Sequence, residues 1–134
     1  DMFGWSNADN LFGGRDADIL VCGVCNDNMR VWLGIDTFVF SKGSGRDIIR
    51  DFKQEDVLVL NNFLDGASNV EEAASMVNGN LTLSSGNDEI TFVGLNMSDL
   101  AWVSDNVAQI ARALYLSIAR RTTISAGYFV SNVR

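Results

Sequence analysis

The sequence predicts a mainly β fold: a parallel β-roll (β-solenoid) of nonapeptide repeats, closed by a C-terminal β/α cap and followed by a terminal helix. Three observations carry that prediction. Asp9, Asp18, Asp27 and Asp36 fall nine residues apart. Each is followed two positions later by a residue of buried type: Leu11, Leu20, Met29 and Phe38. The stretch before each Asp is turn-like, with Gly13, Gly14, Gly23 and Gly34 free to adopt a left-handed backbone. A fixed short period of turn, Asp and apolar half-strand marks a solenoid whose units bury their cores by stacking.

The register defines four repeats: residues 4–12 (GWSNADNLF), 13–21 (GGRDADILV), 22–30 (CGVCNDNMR) and 31–39 (VWLGIDTFV). In each, a strand of the form x-U-x points one apolar side chain inward and its neighbours outward. Six residues remain to reverse the chain, and Asn7 and Asp16 stand where left-handed backbone is tolerated next best after glycine. Two nonapeptides complete one coil, so successive repeats alternate between two edges. Asp9 is therefore expected over Asp27 on one edge, and Asp18 over Asp36 on the other. Adjacent rungs lie about 4.7–4.9 Å apart, and carboxylates held that close repel unless a cation lies between them. Ca²⁺ fits such a place, because it takes 6–8 hard oxygen ligands, carboxylate and carbonyl alike, in flexible geometry. A single Asp in a tight turn more often caps its own backbone; four in strict register favour the cation. A fifth turn, Lys42 to Asp47, keeps a G-x-G-x-D order after a two-residue insertion and brings Asp47 toward a third site.

These residues resemble a known family. Gly13-Gly14-Arg15-Asp16-Ala17-Asp18-Ile19-Leu20-Val21 resembles the GGxGxDxUx nonapeptide of the RTX (repeats-in-toxin), haemolysin-type calcium-binding family. Asp36 to Phe40 and Gly43 to Phe52 are similar to the segment closing the β-roll in serralysin-type C-terminal domains. Asp56 to Leu60 and the stretch up to Leu100 are similar to that domain too, so the likeness covers residues 4–102. The resemblance implies a secreted, extracellular, calcium-binding module. It would form the C-terminal part of a larger bacterial protein, with the type I secretion apparatus as a partner and a protease, lipase, polysaccharide-modifying or toxin domain upstream.

The chain departs from that pattern at several turn positions. Trp5 and Trp32 stand second in their repeats, where the family has Gly, and Cys22 and Val31 stand first. Bulky residues can lend a carbonyl but adopt φ > 0 with difficulty. The Asp18–Asp36 edge, with Gly13, Arg15, Asp16 and Gly34 around it, is therefore expected to hold the better metal site, and the Asp9–Asp27 edge the weaker.

Composition agrees with a folded acidic module. The 134 residues suit one domain, with 47% hydrophobic residues and a net charge of −7. Residues 1–102 hold 6 basic and 16 acidic side chains, which argues against nucleic acid and for a cation requirement. A monomer is expected, with no membrane span and no N-terminal signal peptide; the latter fits type I export and equally fits a fragment. Met2 falls at the inward position of an incomplete repeat, so upstream repeats are expected.

Three regions follow: the repeat roll 1–52, a cap 53–102, and 103–134. In the cap, Val57 to Leu60 reads as a strand, with turns at Asn61-Asn62 and Asp65-Gly66. Ser68-Asn69-Val70-Glu71 has capping-box form and leads a helix expected to stop at Asn78-Gly79. Leu81 to Ser84 and Glu89 to Val93 read as a hairpin. A solenoid end exposes core and unpaired backbone, and this region would cover it. Beyond it, Ser104 or Asp105 caps a predicted helix carrying Val107, Ile110, Ala111, Leu114 and Ile118 on one stripe. That helix is expected to pack on the roll, with a secretion-signal role compatible; the tail from Thr122 reads as weakly β-prone.

Cys22 and Cys25 form C-x-x-C, but with no His and no further Cys a zinc site is incomplete. The pair reads as turn residues replacing Gly, with a local disulfide as the alternative. The absence of His also removes Ser-His-Asp, Cys-His and HExxH chemistry, and the chain is expected not to be an enzyme by itself. Two functional classes remain: a module that folds on binding Ca²⁺ outside the cell, as an accessory to an upstream domain, and a Ca²⁺-independent solenoid serving adhesion or surface interaction.

Overall fold

Alternation along very short strands sets the frame. In the computed structural model, which describes residues 1–64 and 69–108, the strands β1 (Met2–Phe3), β2 (Asn10–Phe12), β3 (Ile19–Val21), β4 (Asn28–Arg30), β5 (Thr37–Ser41), β6 (Arg46–Ile49) and β7 (Val57–Asn61) wind into a parallel roll. Odd-numbered strands stack as β1-β3-β5-β7 in one sheet and even-numbered ones as β2-β4-β6 in the other. The register is 18 residues per coil at first: Met2 lies beside Leu20, Leu11 beside Met29, and Leu20 beside Phe38. It becomes 20 after the insertion of Phe40 and Ser41, with Met29 beside Ile49 and Phe38 beside Leu58.

The inward position of every repeat builds the core. Leu20, Met29, Phe38, Ile49 and Leu58 are all fully buried. Cys22 and Val31, first in their repeats, are also inside. Phe38 meets Phe52 at a ring separation of 5.7 Å, and Phe52 continues to Phe92 at 5.1 Å. One aromatic file thus joins the roll to its cap.

The cap extends both sheets. The hairpin of β9 (Asn80–Ser85) and β10 (Asp88–Phe92) turns through Gly86-Asn87, and β10 pairs in parallel with β6. The predicted hairpin is therefore present, and it continues the even sheet. The predicted helix after Asn69 is one turn only, α1 (Val70–Ala73), with Asn69 Oδ1 accepting the Glu72 N–H at 2.9 Å. Ala74–Val77 then forms β8, antiparallel to β9. The expectation of a helix up to Asn78-Gly79 is thus corrected: cross-strand pairing with β9 outweighs local helical preference.

A 3₁₀ turn, Met97–Asp99, leads into α2 (Leu100–Asp105). Trp102 from α2 stacks on Phe52 at 5.8 Å and 7°. β11 (Val107–Ala108) then joins β7 in parallel. The helix expected to start at Ser104 or Asp105 is corrected at its beginning, since the chain there ends one helix and enters a strand. Ile110 to Ile118, the tail from Thr122 and the Asp65-Gly66 turn lie outside the described residues. Among the described residues no helix is long and apolar enough to cross a membrane.

Candidate metal centre

The roll turns its chain at two edges, and the Asp residues line both. On one edge the Asp9 N–H donates to Asp27 Oδ1 at 2.8 Å, and the Asp27 N–H donates to Asp47 Oδ1 at 2.8 Å. On the other, the Asp18 N–H donates to Asp36 Oδ1 at 2.8 Å and the Asp36 N–H to Asp56 Oδ1 at 3.0 Å. Each carboxylate therefore reaches back and holds the rung before it. Both expected pairings, Asp9 with Asp27 and Asp18 with Asp36, are present, and Asp47 continues the first of them.

Asp56 was not expected in this set. Residues 51–59 (DFKQEDVLV) form a sixth nonapeptide, with Asp56 nine residues after Asp47 and Leu58 inward two later. The roll therefore runs on through β7, past the boundary expected at residue 52. Its turn hides the repeat because it holds no glycine. Asp51 serves instead, accepting the Val31 N–H at 3.0 Å and the Trp32 N–H at 2.8 Å. Asp88 from the cap plays a similar part on the opposite edge, accepting the Gly43 and Gly45 N–H groups at 2.8 and 2.9 Å.

The second carboxylate oxygen distinguishes the rungs. Oδ2 of Asp18, Asp27, Asp36 and Asp47 is buried without a hydrogen-bond partner, while Asp27, Asp36 and Asp47 are at most 1% exposed as whole residues. A buried carboxylate oxygen without a donor is costly. Burial accordingly pushes the Asp27 and Asp36 carboxyls above the ordinary carboxylate range, and Asp47 up to about 8. Like charge adds to this, from Asp9 at Asp27 and from Asp27 at Asp47, against the N–H bonds that lower each value. A hard cation between rungs would satisfy these oxygens. Among the described residues no three Asp, Glu, Cys or His side chains converge as a metal cluster, so an ion there would need backbone carbonyls or water beside the carboxylates. That donor set, two carboxylates and turn carbonyls, fits Ca²⁺.

The turns are built tightly enough to bring carbonyls close. Gly34 has φ +111°, and a Cβ there would lie 2.7 Å from the Asp16 carbonyl oxygen. At Gly13 a Cβ would lie 2.9 Å from Asp18 Oδ2, so Gly13 leaves the space beside that carboxylate. Arg15 is exposed. The expected left-handed backbone at Asn7 and Asp16 is corrected: Trp5, Trp32 and Cys25 adopt it instead, at φ 62°, 71° and 87°. Stacking on the neighbouring coil fixes these second- and fourth-position conformations, as shown by the Val24 N–H bond to the Trp5 carbonyl at 2.7 Å. Trp5 is thus left-handed at the position that Gly14 holds on the other edge, with φ 62° against 104°.

Cys22 and Cys25 do not face each other. Cys22 lies in the core with its Sγ 3.2 Å from Met29 Sδ, and burial raises its pKa strongly. Cys25 is exposed and donates to the Ser6 carbonyl. Both are free thiols.

No protein-family model matches the chain, and no curated protein matches it. Among solved structures, the chain is similar to the crystal structure of the extracellular lipase LipA from Serratia marcescens, with a TM-score of 0.59 and 23% identity. The match covers 78% of this chain and 20% of that one. The likeness is one of fold, to a stretch about a fifth of the lipase's length.

Proposed function

We propose that this chain is a calcium-binding β-roll module that folds on binding Ca²⁺ outside the cell, as the C-terminal part of a larger secreted protein. The observation that carries this is the row of donorless buried Oδ2 atoms on Asp18, Asp27, Asp36 and Asp47. Without a counter-ion this row opposes folding; an ion bound only by the folded chain would draw the equilibrium toward it by mass action. In calcium-poor cytosol the module would be only marginally stable and would open readily for transport, and outside the cell calcium would close it. Type I export and the upstream domain, a lipase, protease, polysaccharide-modifying enzyme or toxin, belong to this proposal. The similarity to part of an extracellular lipase supports it. The module itself is proposed as an accessory and not as the catalyst.

Equilibrium dialysis with Ca²⁺ tests this reading. Several ions per chain are expected in the wild type, with fewer in the Asp18→Ala/Asp36→Ala variant. Absence of bound Ca²⁺ in the folded wild type at millimolar concentration rejects it.

A second reading, a Ca²⁺-independent surface-interaction solenoid, draws on Trp5 and Trp32, which are 74% and 61% exposed. Trp32 lines a shallow cavity of about 250 Å³ with Phe12, Gly14, Arg30 and Val31. The same dialysis separates the two readings.

A further inference from the structure

Four gaps between stacked Asp residues can be compared, and one differs. In the gaps Asp9–Asp27, Asp27–Asp47 and Asp18–Asp36, the carboxylate reaching back has a buried Oδ2 without a donor. In the gap Asp36–Asp56, Asp56 is equally buried, yet its Oδ2 accepts the Lys53 N–H at 2.8 Å and lies 3.9 Å from the Lys53 ammonium.

The repeat register explains how Lys53 comes to be there. Lys53 stands third in the sixth repeat, as Val24 and Leu33 stand third in theirs. The Val24 N–H donates to the Trp5 carbonyl at 2.7 Å, and the Leu33 N–H to the Gly14 carbonyl at 3.1 Å. At Lys53 the backbone N–H turns instead to Asp56. The side-chain ammonium takes over the bond to the corresponding carbonyl, that of Trp32. The ammonium thus stands between a turn carbonyl of one coil and a buried carboxylate of the next. Those are the donor types on which a metal ion in the other gaps would draw.

We infer that Lys53 is a built-in cation that seals the Asp36–Asp56 gap, so that the metal column of that edge ends between Asp18 and Asp36. This rests on the calcium reading above for the other gaps. The last coil, against the cap, is then held by the protein's own charge and needs no ion. An ammonium satisfies one buried carboxylate at a fixed place, whereas Ca²⁺ would add 6–8 oxygen contacts. Removing the ammonium converts the sealed gap into an open one.

The test uses the full chain with Lys53→Met, Asp56→Asn and the double variant, melted in calcium-free and millimolar-calcium buffers, with bound Ca²⁺ counted by equilibrium dialysis. Lys53→Met is expected to melt lower than wild type without calcium, to recover in calcium, and to bind one more ion per chain. In calcium-free buffer, Lys53→Met should cost less in the Asp56→Asn background than in the wild type, as a double-mutant cycle of a charge pair requires; Asp56→Asn by itself gives up one of the two backbone N–H groups that the carboxylate accepts. Equal losses in both buffers with an unchanged ion count would overturn the inference and leave Lys53 a packing residue. A wild type that binds no Ca²⁺ defeats the ladder reading and, with it, the conversion of this gap into a metal site. The calcium-free cycle still decides the ion pair: coupling upholds it and additive losses overturn it. If Lys53→Met does not fold, Lys53→Gln is read the same way, with Lys53→Arg expected to keep the wild-type count.

Discussion

Asp36 holds the N–H of Asp18 from the preceding coil through Oδ1 at 2.8 Å, while its Oδ2, buried with the rest of the residue, has no donor at all. One atom of the carboxylate serves the fold and the other opposes it. The same division recurs at Asp27 and Asp47. The roll is thereby assembled around a charge that only a cation or a proton relieves.

Asp36→Asn separates these two roles. The amide oxygen still accepts the Asp18 N–H, and the buried charge is gone. In calcium-free buffer the variant is expected to be more stable than wild type, because no buried charge is left to face the like charges of Asp56 and Asp18. In millimolar calcium the order reverses, because a ligand has been lost. Chemical denaturation in both buffers checks the crossing; a variant weaker than wild type in both would contradict it.

Protons should substitute for the cation. Burial holds Asp27, Asp36 and Asp56 above the ordinary carboxylate value of 3.8, and Asp47 at about 8. A carboxyl whose folded value exceeds its unfolded one favours the fold when protonated. Its contribution is full below 3.8 and is lost as pH rises through the folded value. Melting temperature in calcium-free buffer is therefore expected to fall between about pH 4 and pH 8, and the fall should flatten in calcium. A rise across that window in calcium-free buffer contradicts the assignment.

The glycine turns test how closely the coils stack. Gly14 and Gly34 have similar left-handed φ values, +104° and +111°, but a Cβ meets nothing within 4 Å at Gly14 and the Asp16 carbonyl at 2.7 Å at Gly34. Gly14→Ala should cost only the strain of the backbone, about 1–2 kcal/mol. Gly34→Ala should cost clearly more, because two coils must separate. Equal melting temperatures for the two variants would show that the coils are not stacked this closely.

Most of the roll was legible because its signal is local and periodic. The inward residue two positions after each Asp recurs from Leu11 to Phe38 and is buried each time. What escaped was decided by contacts between coils. The sixth repeat was obscured because Asp51 and Lys53 shape its turn where glycine would be expected. Trp5 and Trp32 are left-handed against their own preference because the stacked turns require it. Ala74–Val77 has ordinary helical composition, and only its pairing with β9 makes it a strand. The candidate site was legible as four Asp residues with Asp47 as a fifth; its extension to Asp56, nine residues further on, was hidden by a turn without glycine.

On this account the buried Asp column makes folding depend on calcium. Far-ultraviolet circular dichroism with thermal melting, in millimolar Ca²⁺ and in EGTA, tests it most directly. A large gain of β signal and of melting temperature on adding Ca²⁺ is expected. Identical spectra and melting temperatures in the two buffers would contradict it.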